Sequence, residues 1–195
     1  MILNQKLKDY RIILASASPR RKELLSGLGL TFDVIVREVE ETCPDTLIRE
    51  EIPVFLSQLK ASAFTAEEFG VKTLIITADT IVWLNNTMLN KPKNREDAVK
   101  MLLQISGQTH EVFTGVCIKT NQQQLTFFAE SKVKFRQLTL EEIEWYIDTC
   151  QPFDKAGAYG IQEWVGYIGI EHIEGSFYNV MGLPTQMLYK KLMKI

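Results

Sequence analysis

The chain has 195 residues, 46% of them hydrophobic and 24% charged, with a net charge of −2. That length fits one domain, or a domain with two lobes, and is enough to build a core without staples. The slightly acidic balance argues against the strongly basic face of a duplex-binding protein, and no apolar run approaches the ~20 residues of a membrane span.

Ile12 to Ala15 is a short apolar run that reads as a buried strand. Ser18 then suits an N-cap and Pro19 the first helical position. Leu24, Leu25 and Leu28 supply an apolar face, and Gly27 or Gly29 can end the helix. The segment TFDVIV reads as a second strand. Ile52, Phe55, Leu56, Leu59 and Ala63 recur at helical spacing and predict a long helix over Glu51 to Phe69. TLIITAD, from Thr73 to Asp79, predicts a core strand that ends in a carboxylate. IVWLNNTML follows, with Asn85-Asn86 as a hairpin turn. Asn94 to Ile105 predicts a helix with Ala98, Met101, Leu102 and Ile105 on one side. HEVFTGVCIKT and Leu125 to Phe135 predict two paired strands around the polar turn NQQQ. Thr139 opens a further helix with a capping box to Glu142, and Leu138 is placed to staple against Ile143. The final third is rich in glycine before MGLPTQMLYKKLMKI predicts a closing helix. Helices and strands alternate irregularly, with hairpins among them, which favours a mixed α/β sheet over a strictly parallel one.

Cys43, Cys117 and Cys150 are scattered and form no C-x-x-C or Cys/His cluster, which suits reduced thiols. The N-terminal stretch MILNQKLKDYRIILAS has no long apolar run and no cleavage signal, so a soluble cytoplasmic protein is expected. His110 and His172 have no partner motif and read as non-ligand residues.

Several polar groups admit two readings each. Arg20, Arg21 and Lys22 fill the first turn of a helix, where cations are normally disfavoured. Either the place binds a polyanion, which arginine's planar fork suits, or it is a solvated basic face. There is no Walker loop. Asp79 either binds a metal and orients a water beyond a strand end, or caps a turn. Among Glu38, Glu40 and Glu41 one could be a second metal ligand, but an acidic surface loop is the stronger reading. Lys60 and Lys91 either enter a cleft or simply snorkel. In PFDKAGAYGIQ, small residues allow close backbone approach, and Gln162 has the donor and acceptor that reading a base edge requires. A tight polar turn explains the same residues equally well.

Together these pieces resemble the Maf family of nucleoside triphosphate pyrophosphatases. LASASPRRKELLSGLG, TADTIVWLNNTMLNKP, LLQISGQTHEVFTGV and DKAGAYGIQ with GSFYNVMGLP carry the match, in the family's order, from about Leu14 to Pro184. The resemblance implies a Maf/ITPase-like fold over residues 1–195: a long, twisted, mixed sheet flanked by helices, with two lobes and a central cleft. It implies hydrolysis of a nucleoside triphosphate to the monophosphate and pyrophosphate with Mg²⁺ or Mn²⁺. By the same resemblance Asp79 is the catalytic carboxylate, and Glu41, with Glu40 as fallback, joins it on the metal. Lys60 and Lys91 complete the catalytic set, and Ser18, Arg20 and Arg21 match the phosphate-binding block. Arg20, Thr80 and Gln162 match the branch that acts on dTTP and UTP, with modified pyrimidine triphosphates as further candidates. A homodimer in the cytoplasm is implied, with no nucleic-acid or membrane partner. The family commonly has Gly after Ile-Gln, where this chain has Glu163, a side chain added near the presumed base pocket. The alternative to an enzyme is a nucleotide-sensing regulator of cell division and septum formation.

Overall fold

The computed structural model describes residues 2–65, 70 and 72–195. In chain order the elements are α1 (Ile2–Lys6), β1 (Arg11–Leu14), α2 (Pro19–Gly27), β2 (Asp33–Val34), α3 (Glu51–Ser62), β3 (Thr73–Leu84), β4 (Thr87–Leu89) and α4 (Arg95–Ile105). Then follow β5 (Thr109–Lys119), β6 (Gln124–Phe135), α5 (Leu140–Cys150), α6 (Trp164–Gly169), β7 (Ile170–Gly175), α7 (Phe177–Met181) and α8 (Thr185–Leu192). The strands form a seven-stranded sheet in the order β2-β1-β3-β5-β6-β7, with β4 paired to β3. β1 runs parallel to β2 and β3, whereas β3 with β4 and β6 with β7 are antiparallel. The expected mixed α/β sheet is what these residues build.

The chain divides into two compact units, one of Met1–Asp79, Thr114–Ala129 and Gly182–Ile195, the other of Thr80–Phe113 and Glu130–Met181. In the first unit, β1 and the start of β3 are buried through Ile12, Ile13, Leu14, Leu74, Ile75 and Ile76. Such a continuous apolar run marks strands covered on both faces. Ser18 caps α2 by accepting from Arg21 N at 3.4 Å, and Pro19 opens the helix as expected. The chain leaves α2 through Gly29 at φ 73, whose N–H donates to Ser26 O at 2.8 Å.

Helix α3 lies hard against β5: a Cβ at Gly115 would come within 2.3 Å of Pro53 O and 2.5 Å of Val54 N. Thr77 Oγ1 donates to Ser57 O at 2.6 Å, and Gln58 Nε2 donates to Thr126 Oγ1 at 3.1 Å. At and just beyond the last turn, Lys119 Nζ donates to Ala61 O at 3.1 Å and Phe64 O at 2.7 Å. Arg37 Nη1 donates to Ala63 O and its guanidinium lies 4.7 Å from the centre of the Phe64 ring. Cations at a helix C-terminus satisfy open carbonyls and oppose the dipole.

In the second unit, Asn85 and Asn86 take φ 49 and 59, the left-handed pair that a tight β3–β4 hairpin requires. Asn94 caps α4 by accepting from Asp97 N at 2.9 Å. The capping box on α5 is complete, and Arg136 first, then the Thr139 N–H, hold the Glu142 carboxyl down to about 2. His110 Nε2 pairs with Tyr159 Oη at 2.7 Å, and both rings pack against Phe135.

Three expectations need correction. The helix expected to reach Phe69 ends at Ser62; its apolar spacing continues, but Arg37 and Lys119 take up the carbonyls beyond it, and 66–69 lie outside the described residues. TFDVIV contributes only the two-residue strand β2, at the edge of the sheet beside β1. β3 does not stop at Asp79 but runs on to Leu84, so Asp79 sits within a strand rather than at its end. Two short helices, α6 and α7, and the strand β7 arise from the glycine-rich third that had no predicted element before the closing helix.

Candidate active site

In the first unit, α3 and β3 place Lys60 and Asp79 side by side. Lys60 Nζ donates to Asp79 Oδ1 at 2.6 Å and lies 2.9 Å from Glu41 Oε2. The side chains of Lys60 and Asp79 are 18% and 13% exposed, and that of Glu41 is 52% exposed. One ammonium therefore joins a nearly enclosed carboxylate to a wetter one. Removing water from such a pair strengthens its attraction and makes either charge costly to leave alone.

Arg21 projects from the first turn of α2 and is held by the backbone: its Nε donates to Gly182 O at 2.8 Å, with Ser16 Oγ 3.5 Å from Nη1. Gly182 has φ 117, a conformation open to glycine and strained for other residues. Burial lowers the basicity of the Arg21 guanidinium, Asp79 opposes that, Arg20 adds to the lowering and Glu41 raises it. Arg20, Arg21, Glu41, Lys60 and Asp79 thus share one electrostatic neighbourhood. It mixes two carboxylates with three cations.

The carboxylates offer hard oxygen donors. Mg²⁺ and Mn²⁺ take one or two carboxylates together with phosphate oxygens, so Asp79 and Glu41 fit such an ion. Among the described residues no group of three or more His, Cys, Asp or Glu side chains gathers; the fit is to a carboxylate pair completed by substrate oxygens.

In the second unit, Thr80 follows on β3 and is half-buried, while Lys91 lies exposed just after β4. Gln162 is half-buried, and its Oε1 is enclosed with no hydrogen-bond partner among the described residues. Beside it, Lys155 Nζ donates to Asp154 Oδ1 at 2.7 Å and lies 2.9 Å from Glu163 Oε1. Tyr146 Oη donates to Glu163 Oε2 and accepts from Gly160 N at 3.0 Å. The segment is also tied to the residue before Lys91, because Gly157 N donates to Asn90 O at 3.1 Å.

A Maf-like protein family model matches residues 11–195. The chain belongs to that family. Among its Maf-like relatives, a protein of Phocaeicola vulgatus named dTTP/UTP pyrophosphatase is 53% identical over 192 residues, covering 98% of this chain and 99% of the relative. A Bacteroides thetaiotaomicron protein of the same name is 54% identical over 192 residues, covering 97% and 98%. The solved structure of the Staphylococcus aureus Ham1 protein aligns with a TM-score of 0.48 and 16% identity, over 93% of this chain and 99% of that one.

The sequence-predicted residues of this Maf-like chain fall in two groups. Ser18, Arg20, Arg21, Glu41, Lys60 and Asp79 belong to the first unit, and Thr80, Lys91 and Gln162 to the second. Within the first, Glu41 is the glutamate of the acidic loop that reaches Lys60. Ser18 uses its hydroxyl as a helix cap. Sequence reasoning missed Gly182 and Ser16, which hold Arg21, and the partners of Glu163. The signal for Gly182 was present in the quoted MGLP block, but a backbone carbonyl as partner leaves no trace in residue type.

Proposed function

We propose that this Maf-like protein is a nucleoside triphosphate pyrophosphatase that hydrolyses dTTP and UTP to the monophosphate and pyrophosphate. The observation that carries the reading is the Lys60 ammonium set 2.6 Å from Asp79 and 2.9 Å from Glu41, with Arg21 coupled to the same aspartate. Relatives of nearly equal length named dTTP/UTP pyrophosphatase support the substrate class.

The reaction needs water in line with the departing pyrophosphate and positive charge on the phosphate oxygens. Asp79 orients the water and takes its proton as the new bond to the α-phosphorus forms and the α–β bridge breaks. Lys60 holds Asp79 in place beforehand. Arg21, Lys91 and Lys60 grip the polyphosphate, with Ser18 and the amides at the start of α2 beside them. A bound Mg²⁺ or Mn²⁺, held by Asp79 and Glu41, would neutralise charge on the phosphates. Arg20, Thr80 and Gln162 select the pyrimidine, and modified pyrimidine triphosphates fall within the same class. The protein works in the cytoplasm as a homodimer; among the described residues no helix is long and apolar enough to cross a membrane. A regulator that only senses nucleotide would have no use for a carboxylate placed to activate water.

The test is incubation of the purified chain with dTTP, UTP, CTP, ATP and GTP and added Mg²⁺ or Mn²⁺, with products separated by chromatography. dTMP and UMP with pyrophosphate are expected, ahead of the other three. Release of inorganic phosphate and diphosphonucleosides instead, or no product at all, would sink the assignment.

A further inference from the structure

Residues 160–163 form a tight turn closed by Glu163 N donating to Gly160 O at 3.0 Å. Gln162 occupies its third position. Both ends of the turn meet one hydroxyl: Gly160 N donates to Tyr146 Oη at 3.0 Å, and Tyr146 Oη donates to Glu163 Oε2. Burial first, and then the hydrogen bond to Glu163, push the Tyr146 phenol far above its ordinary value, so it stays a donor. The remaining carboxylate oxygen of Glu163 lies 2.9 Å from Lys155 Nζ. Lys155 is buried, and Asp154 and Glu163 together offset its charge, while the Glu163 side chain, 22% exposed, is held by both Lys155 and Tyr146. The packing leaves no slack, because a Cβ on Gly160 would lie 2.7 Å from Glu163 Cδ and 3.0 Å from Lys155 Cε.

We propose that Glu163, acting through Tyr146 and Lys155, is a positioning residue that locks this turn so that Gln162 presents its unpartnered amide oxygen to the nucleobase in one orientation. The inference rests on the pyrimidine-triphosphatase reading above and adds to it the device that enforces base choice. A satisfied, enclosed polar network is rigid, whereas a broken one lets the backbone move. Gln162 Oε1 is an acceptor without a partner. It suits the ring N–H of thymine or uracil, while cytosine carries an acceptor at the same ring position. A turn held at both ends restricts the amide from swinging over to suit the cytosine edge. A loosened turn does not.

The experiment compares kcat/KM for dTTP, UTP and CTP in the wild type, E163A, E163Q, Q162A and the E163A/Q162A double variant. E163A should lower the dTTP:CTP ratio at least about fivefold, near the lower end of what one paired base-edge contact discriminates, mainly through KM for dTTP. E163Q, which keeps an acceptor for Tyr146, should restore most of the ratio. In the Q162A background, E163A should change the ratio less than about twofold, because coupled residues are not additive. A purely structural role would lower the melting temperature and kcat for every nucleotide alike and leave the ratio unchanged; that result, or full additivity with Q162A, overturns the proposal. Amide hydrogen exchange at Gly160 supplies a readout without catalysis: Y146F should speed it at least about tenfold, and unchanged exchange refutes the clamp. A wild type that releases no pyrophosphate from dTTP removes the enzymatic reading and the selectivity role together. A selective wild type with an unchanged E163A ratio removes only the clamp.

Discussion

Asp79 is the residue on which the chemistry turns, and its surroundings say how it should respond to substitution. Asn keeps its shape but cannot take a proton. A positioned acid–base group contributes roughly 10²–10⁴-fold in rate, so Asp79→Asn should lower kcat with dTTP by at least ~100-fold. Lys60 retains Glu41 at 2.9 Å, so the fold should persist, and a circular-dichroism melt near that of the wild type is expected alongside the lost turnover. His110 offers a second test, unrelated to catalysis. Burial drops its imidazole from an ordinary 6.5 to about 3, so it is neutral in the folded chain where the unfolded chain would be protonated. The unfolded state then binds more protons below pH 6.5, and stability falls as pH falls from there toward about 3. Between pH 7 and 5 this costs about 2 kcal/mol, a window above the titration of ordinary carboxylates. His110→Gln removes the titration, and urea unfolding at the two pH values should show that slope in the wild type and a flatter one in the variant. At this scale the sequence was legible in kind but not in distance. Lys60, Asp79 and Glu41 were each visible as charged residues with a bland reading alongside. Only the folded chain brings Lys60 within 3 Å of both carboxylates, because its separation of 19 residues from each gives no local signal.

The elements that carry these residues were easier to read where their own side chains close them. Ser18-Pro19, Asn85-Asn86, Asn94 and Thr139 with Glu142 each satisfy or shape the backbone locally, and each expected boundary or turn is found. Boundaries fixed from a distance were not legible. The end of α3 depends on Arg37 and Lys119, and the continuation of β3 past Asp79 depends on β4 pairing with Val82, Trp83 and Leu84. The same long-range dependence makes α3 sensitive at a site that looks harmless in sequence. Gly115→Ala adds one methyl group, but its Cβ would sit 2.3 Å from a carbonyl of α3. Backbone cannot rotate aside as a side chain can, so the helix must shift. Overpacking of this kind costs typically ~1–3 kcal/mol. Since α3 carries Lys60, Gly115→Ala should lower thermal stability and kcat/KM together, and a variant with wild-type melting and kinetics would show that α3 does not depend on that close approach.

At the scale of the whole molecule, chain order and spatial grouping diverge. The first unit is assembled from three separate stretches, the last of them Gly182–Ile195. Nothing in an amphipathic closing helix says which part of a protein it will complete, so this grouping was not legible from periodicity. The consequence is a truncation whose effect can be placed. Leu183, Leu188 and Leu192 are each 0% exposed. Removing one buried leucine side chain costs ~2–5 kcal/mol, and the loss of three is comparable with the ~5–15 kcal/mol that holds a typical domain together. Arg21 would also lose its partner, Gly182 O, which lies 2.8 Å from its Nε. A chain ending at Met181 should therefore lose helical ellipticity from α1, α2 and α3 and should release no pyrophosphate from dTTP. Trp83, Trp145 and Trp164 all belong to the second unit, so their fluorescence follows that unit alone while circular dichroism follows the whole chain. The milder Leu188→Ala variant should keep activity at low temperature and melt earlier. A chain truncated at Met181 that keeps its ellipticity per residue and a sharp melt would mean that the first unit stands without its last segment, and that Arg21 is held by something other than Gly182.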